Sequence, residues 1–347
     1  LKALDTTSKV EKKVETTNTE AYEFYLKGRY KWNKRENMED NELARGLLKK
    51  SIELDSNLVR AKIQLGSTYL DNDNDKAKEI YFSALKQAKE LDNKAGIAMA
   101  CGGIGSYYSH KYKSDKAIEY MSLALQIEEE RNNKRGMAIH LNNMGVVERD
   151  RGLLDKAMDY FTRSMNLSND INDKRGVGFG FSNIGMIYAD IGEYDKSFDY
   201  TSRSLKIFEE INDVRCISIC LWEIGIINRQ TGKYDIALDN FFHSLKLYEQ
   251  IDNKTGICFS LSLIGFTYYS IGNYEKADEF IEKSLSLQTE IKMEILELSN
   301  VIYLALINKS ISKKYNKQKI NQLIDKAEYI KFEQYYRLFQ LLEDNSC

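Results

Sequence analysis

Apolar residues recur at three- and four-residue intervals through most of this chain, in segments that come two to every 40 residues. From Asn142 the chain reads NNMGVVERDRGLLDKAMDYFTRSMNL, from Ser182 SNIGMIYADIGEYDKSFDYTSRSLKI, from Trp222 WEIGIINRQTGKYDIALDNFFHSLKL and from Ser262 SLIGFTYYSIGNYEKADEFIEKSLSL. Each block holds an apolar segment of helical period, a glycine turn, an acidic residue with a small one after it, and a second segment closing on Ser-Leu or Ser-Met. The pattern predicts an all-α chain with two antiparallel helices per block. Self-similarity at this period is the mark of a solenoid, whose units bury their apolar faces only by stacking.

Two glycine series punctuate the blocks. Gly152, Gly192, Gly232 and Gly272 follow the first segment, where glycine enters the left-handed region of a helix C-cap without steric cost. Asp115, Asp155, Asp195, Asp235 and Glu275 then open the second segment, placed to accept from free backbone N–H groups and to complement the helix dipole. Asn133, Asp173, Asp213 and Asn253 are suited to cap the helix that starts the next unit. The other series, Gly105, Gly145, Gly185, Gly225 and Gly265, falls inside a helix, where glycine costs roughly 0.5 to 1 kcal/mol relative to alanine. Close helix crossing explains it, with the small residue twelve positions on (Ala117, Ala157, Ser197, Ala237, Ala277) expected opposite and larger apolar residues on the flanks.

This grammar resembles the tetratricopeptide repeat. Tyr188 and Tyr268 match its aromatic three residues after the glycine, Phe161 and Phe241 its second-helix aromatic, and Ser164, Ser204, Ser244 and Ser284 stand where alanine is usual. The blocks are six residues longer than the family's 34 and lack its proline after the second helix. HEAT repeats share the length but not the glycine-to-alanine offset. The resemblance implies a right-handed α-solenoid of antiparallel helix pairs, about seven units over 19–57, 58–93, 94–132, 133–172, 173–212, 213–252 and 253–292. Gly28 and Gly66 mark the two units upstream of the regular block. Residues 1–18 read as a polar linker. Residues 293–345 read as a degenerate helix pair, Glu294 to Lys309 and Lys317 to Glu328, followed by an amphipathic capping helix carrying Phe332, Tyr335, Tyr336, Phe339 and Leu342.

Composition narrows the function. Lys and Arg number 50 against 52 Asp and Glu, a balance without the positive excess of a nucleic-acid footprint. The basic cluster Lys27, Arg29, Lys31, Lys34 and Arg35, interleaved with Tyr25, Tyr30 and Trp32, reads as a solvated end helix before it reads as a phosphate or base site. Nucleic acid is not an expected partner. No apolar run is long enough to cross a bilayer and the first twenty residues lack a secretion-signal core, so no membrane partner is expected. Five scattered cysteines argue against a disulfide framework and for a reducing cytoplasm. Proline is absent where about 5% is usual; with abundant Asn, Lys, Ile and Tyr, this reads as codon bias first.

No catalytic or cofactor constellation emerges. His110, His140 and His243 stand in different units, Cys216 and Cys220 share a helix face as a core pair does, and no phosphate-loop motif occurs. The expectation is a non-enzyme with no metal and no cofactor. By the family resemblance, the lining of the inner face lies three residues before the in-helix glycine, one after it, and four to five after it. Those positions include Asn142, Val146 and Arg149; Met186; Trp222, Ile226 and Arg229; and Phe266 and Tyr269. Asn143 and Asn183 stand beside them, and an amide side chain supplies both donor and acceptors to an extended peptide. Trp222, Ile226 and Phe266 are the expected apolar anchors.

The first functional reading is a non-catalytic module that binds a peptide or protein segment on this face. A second follows from the ends of the chain. AYEFYLKGRYKWNKR with ELARGLLKKSIELDSN, and YRLFQLLED, resemble repeat arrays attached to bacterial class III adenylate and guanylate cyclase-like proteins, which implies a regulatory array on a signalling enzyme. A third is a dimerising scaffold, a homodimer through the Phe332–Leu342 helix.

Overall fold

The computed structural model describes residues 18–33, 38–70, 73–291, 297–311, 314–326 and 341. Among these residues the chain is all helix, divided into two compact units, residues 1–147 and 148–347. The first holds α1 (Thr19–Asn33), α2 (Met38–Leu54), α3 (Val59–Ser67), α4 (Asn74–Glu90), α5 (Lys94–His110), α6 (Ser114–Glu130) and most of α7 (Lys134–Asp150). The second holds the last residues of α7, then α8 (Leu154–Asp170), α9 (Lys174–Asp190), α10 (Tyr194–Glu210), α11 (Val214–Gln230) and α12 (Tyr234–Gln250). It ends with α13 (Lys254–Ile271), α14 (Tyr274–Ile291), α15 (Glu297–Ser310) and α16 (Lys317–Lys326).

Consecutive helices pack as pairs within each unit: α1 on α2, α3 on α4 and α5 on α6, then α9 on α10, α11 on α12 and α13 on α14. The turns between pairs are capped at three of the expected residues, and at Asn93 in addition, while the Asn133 amide donates to the Glu128 carboxylate at 2.9 Å. Asn93, Asp173, Asp213 and Asn253 each accept from the backbone N–H three residues on. The residue before each cap takes the left-handed conformation, at Asp92, Asn172, Asn212 and Asp252, where short polar side chains are best tolerated. Within pairs, Gly152, Gly192, Gly232 and Gly272 make the turn at φ of +75° to +84°.

Two expectations are corrected. The acidic residues of the second helices lie one step inside the first turn, and the N-cap residues Lys113, Leu153, Glu193 and Lys233 make no side-chain cap bond. Asp115, Asp155, Asp195 and Asp235 therefore sit where they meet the helix dipole, not at the cap itself. The in-helix glycines, in turn, do not face the small residues twelve positions on. A Cβ on Gly105 would lie 2.6 Å from Met121, on Gly225 2.5 Å from Phe241, and on Gly265 2.5 Å from Ile281. Those are the residues sixteen positions on; the residue twelve on offers only its carbonyl, at 3.2 Å for both Ala117 and Ala277. Gly105, Gly225 and Gly265 thus open sockets for large side chains of the partner helix, whereas Gly185 faces the smaller Thr201, whose hydroxyl would lie 2.7 Å from a Cβ there. Phe161, Phe241 and Ile281 are fully buried at the matching register positions.

The serines that replace the family's alanine have a structural reason. The hydroxyls of Ser204, Ser244 and Ser284 donate to the carbonyls of Gly178, Ser218 and Cys258, 26 residues earlier, at 2.9, 2.9 and 3.0 Å. Each ties the second helix of a pair to the first in a buried setting, worth about 0.5 to 1.5 kcal/mol. At the far end, α15 and α16 bury Leu298, Ile302, Leu306 and Ile320 in one cluster, joined by Leu341. The capping-helix residues Phe332, Tyr335, Tyr336, Phe339 and Leu342, like the linker over 1–17, lie outside the described residues. So do Lys34 and Arg35 of the basic cluster. Its other cations are engaged locally: Lys27 with Glu23, Arg29 with the Tyr25 hydroxyl, and Lys31 with Asp40.

Candidate functional site

One helical face of α11 carries Ile219, Trp222, Glu223, Ile226 and Gln230, spaced so that all five fall in a single arc. Cys216, Cys220, Ile224 and Ile227 occupy the adjoining arc and are buried. The same register puts Phe179, Ser182, Asn183, Met186 and Asp190 on α9, and Phe259, Ser262, Leu263, Phe266 and Ser270 on α13. Together these stripes form the candidate site of the second unit. Several of its apolar members stay partly open: Phe179 is 36% exposed, and Ile219, Trp222, Ile226 and Phe259 are half-buried, while Leu263 and Phe266 are buried.

The column Phe179, Ile219, Phe259, six residues ahead of each in-helix glycine, was not among the expected lining residues. Its signal is nonetheless in the sequence, as an apolar residue at each of these 40-residue steps; Phe179 also packs edge-on against the buried Phe208 ring at 5.4 Å. Trp222 packs edge-to-face on Phe259 with ring centroids 6.1 Å apart. Its indole N–H is buried and has no hydrogen-bond partner, a state that a ligand carbonyl would relieve.

The expected residues divide. Arg149 forms a two-pronged pair with Asp190, at 2.5 and 3.1 Å, and lies over the sulfur of Met186 at 3.4 Å, so these three make one edge of the face. Asn183 and Arg229 are buried. Tyr269 stands against Tyr303 and Tyr274, at centroid distances of 5.5 and 5.6 Å. Phe266 is not available as an anchor. It is 6% exposed, and Tyr303 of α15 stacks flat on its ring at 3.8 Å; the degenerate pair outside the 40-residue register supplied a cover that the repeat pattern does not reveal. Asn142, Asn143 and Val146 belong to the first unit, on the corresponding stripe of α7, the two amides half-buried and Val146 exposed.

Glu223, unanticipated, is the chemically distinctive group. The residue is 7% exposed, and the Ser182 hydroxyl lies 3.0 Å from each carboxylate oxygen. Burial pushes it up to about 7. In the 40-residue register it occupies the place of Asn143 and Asn183. The buried thiols take no part: burial pushes Cys216 and Cys258 up to about 12, far from a reactive thiolate. Among the described residues, no group of three or more His, Cys, Asp or Glu side chains is arranged to hold a metal ion. None of the described helices is long and apolar enough to cross a membrane.

Stacked antiparallel helix pairs in a fixed glycine register define the α-solenoid repeat class. Within it, the tetratricopeptide-repeat model matches residues 136–210, 180–250 and 217–290, so this stretch of the chain is a tetratricopeptide-repeat array. No curated protein sequence matches the chain. Among solved structures, a signal transduction ATPase with a tetratricopeptide repeat sensor from Pyrococcus horikoshii aligns at TM-score 0.61 and 15% identity, over 95% of this chain. This chain spans 55% of that protein's length. Aspartyl phosphate phosphatase F from Bacillus subtilis aligns at TM-score 0.61 and 14% identity, covering 96% of this chain and 86% of its own. NprR in complex with its cognate peptide NprX aligns at 0.59 and 16%, covering 83% and 87%. At these identities the likeness is one of fold.

Proposed function

We propose that the chain is a non-catalytic interaction module whose α9, α11 and α13 stripes hold an extended peptide segment of a partner protein. The observation that carries this reading is the partly open apolar column Phe179, Ile219, Phe259 beside Trp222, whose buried indole N–H has no partner. Aromatic anchors with one polar handle are the groups that dominate such interfaces. The fold likeness to NprR, solved with a peptide bound, supports the same reading, and the four buried free cysteines suit a reducing cytoplasm. A second reading, a sensory array within a longer signalling chain, draws on the repeat sensor of the Pyrococcus horikoshii ATPase.

Selection of peptides from a randomised library by the wild type and by Trp222→Ala tests the binding face. The expected loss exceeds ~1 kcal/mol, about fivefold in affinity, with helical content and melting midpoint retained. Loss of folding in the variant would instead place Trp222 in the core.

A further inference from the structure

We infer that Glu223 is the specificity-determining group of this face, and that the peptide held there presents a lysine or arginine side chain flanked by apolar residues. The inference rests on the peptide-binding reading above. A serine hydroxyl has one proton, so Ser182 serves only one carboxylate oxygen of Glu223 at a time. Other carboxylates of the second unit have cations in contact: Asp190 has Arg149, Asp213 has Arg175, Glu210 has Lys174, and Glu290 has Lys254. Arg149 is felt by Glu223, but its guanidinium is already held by Asp190 and Met186.

A buried carboxylate with a single neutral donor is costly in its charged form, and a cation in contact removes that cost. Position along the helix supports the same conclusion. Asn183 and Glu223 occupy equivalent places on α9 and α11, and an amide suits peptide backbone whereas a carboxylate suits a charged donor. The surroundings define the rest of the ligand. Phe179, Ile219 and Phe259 offer apolar contact on the same face, and the Trp222 indole N–H offers a donor for a peptide carbonyl. A peptide with an acidic side chain at this point would supply no cation to the buried carboxylate and be disfavoured.

The test is selection on the full chain from a library of N-acetylated, C-amidated randomised heptapeptides, with wild type, Glu223→Gln and Trp222→Ala in parallel. Wild type is expected to enrich lysine or arginine at one position by ~10-fold or more, the scale of one charge-assisted hydrogen bond. Glu223→Gln should lose that enrichment while keeping the apolar preference and its melting midpoint. Equal cation enrichment by Glu223→Gln overturns the inference, as does a wild-type selection with an acidic residue, or with no cation at any position, among the enriched peptides. Cation-free peptides whose capture Trp222→Ala abolishes would leave the binding face standing and remove only the role of Glu223. No selection by wild type would remove both. In a second arm with free amino termini, preference for the terminus over a side chain would overturn the side-chain assignment.

Discussion

The same helical positions are used in opposite ways in the two units. On α5 of the first, the places three and two residues ahead of the in-helix glycine are Gly102 and Gly103, and neighbouring side chains fill them. A Cβ on Gly103 would lie 2.5 Å from the Tyr81 ring, and one on Gly102 2.7 Å from His140. On α11 of the second, the same places carry Trp222 and Glu223, one half-buried with an unpartnered N–H, the other a carboxylate served by one hydroxyl. The backbone register is common to both; the stripe is either closed by packing or furnished with recognition chemistry. On the proposed reading, ligand chemistry is carried by α11 and structural intolerance by α5.

Register-equivalent substitutions break or sharpen that contrast most strongly. Gly103→Leu must displace Tyr81, which is fully buried and hydrogen-bonded to Ser67, and should destabilise by about 3 kcal/mol. Glu223→Leu removes a costly buried carboxylate and should be neutral or stabilising. Denaturant midpoints of the two variants decide it, and equal losses would erase the distinction.

Two of the buried titratable groups, His140 and Glu223, respond to pH with opposite sign. Burial pushes His140 down to about 4 from an ordinary 6.5, so the folded state keeps the neutral ring while the unfolded chain takes up a proton. Its contribution is complete above the unfolded value and is lost as pH falls through 6.5 toward 4, about 2 kcal/mol by pH 5. Glu223 is raised, so the folded state holds a proton that the unfolded chain releases. Stability from Glu223 rises as pH falls from about 7 toward the ordinary 4.5. Melting at pH 7.5 and 5 should show His140→Gln losing the acid penalty and Glu223→Gln losing the acid gain. Identical pH dependence in both variants would contradict the assignment.

Smaller effects separate the pairs further. Ser244→Ala should cost about 1 kcal/mol through its lost bond to Ser218; the corresponding residues of α4 and α6 are already alanine, Ala84 and Ala124. Tyr112, exposed at φ 52°, occupies the turn position that glycine holds at 192, 232 and 272. Tyr112→Gly should therefore raise stability by roughly 0.5 to 1 kcal/mol, read as a shift in melting midpoint; no shift would mean that the turn carries no strain.

The sequence discloses what repeats. The turn glycines, the caps Asp173, Asp213 and Asn253, and the helix pairing all follow from local chemistry at a fixed period. What it conceals depends on partners distant in the chain. The glycine sockets receive side chains sixteen residues away, across the turn from the small residue that the pattern suggested. The serine column finds carbonyls 26 residues earlier. Glu223 reads as one more solvated carboxylate until Ser182 and the buried side of α11 are in place. Phe266 reads as an anchor because nothing in its own block announces Tyr303.

The central claim, that the α9–α11–α13 stripe of the second unit receives the ligand, has a direct spectroscopic test. The chain has 2 tryptophans, Trp32 and Trp222, so a ¹⁵N-labelled sample gives two indole N–H signals, one on α1 and one within the proposed face. Titration with a peptide selected by the wild type should move the Trp222 signal as its unpartnered N–H gains an acceptor, and leave that of Trp32 in place. Movement of Trp32 alone, or of neither, with saturable binding of the same peptide, would contradict the account.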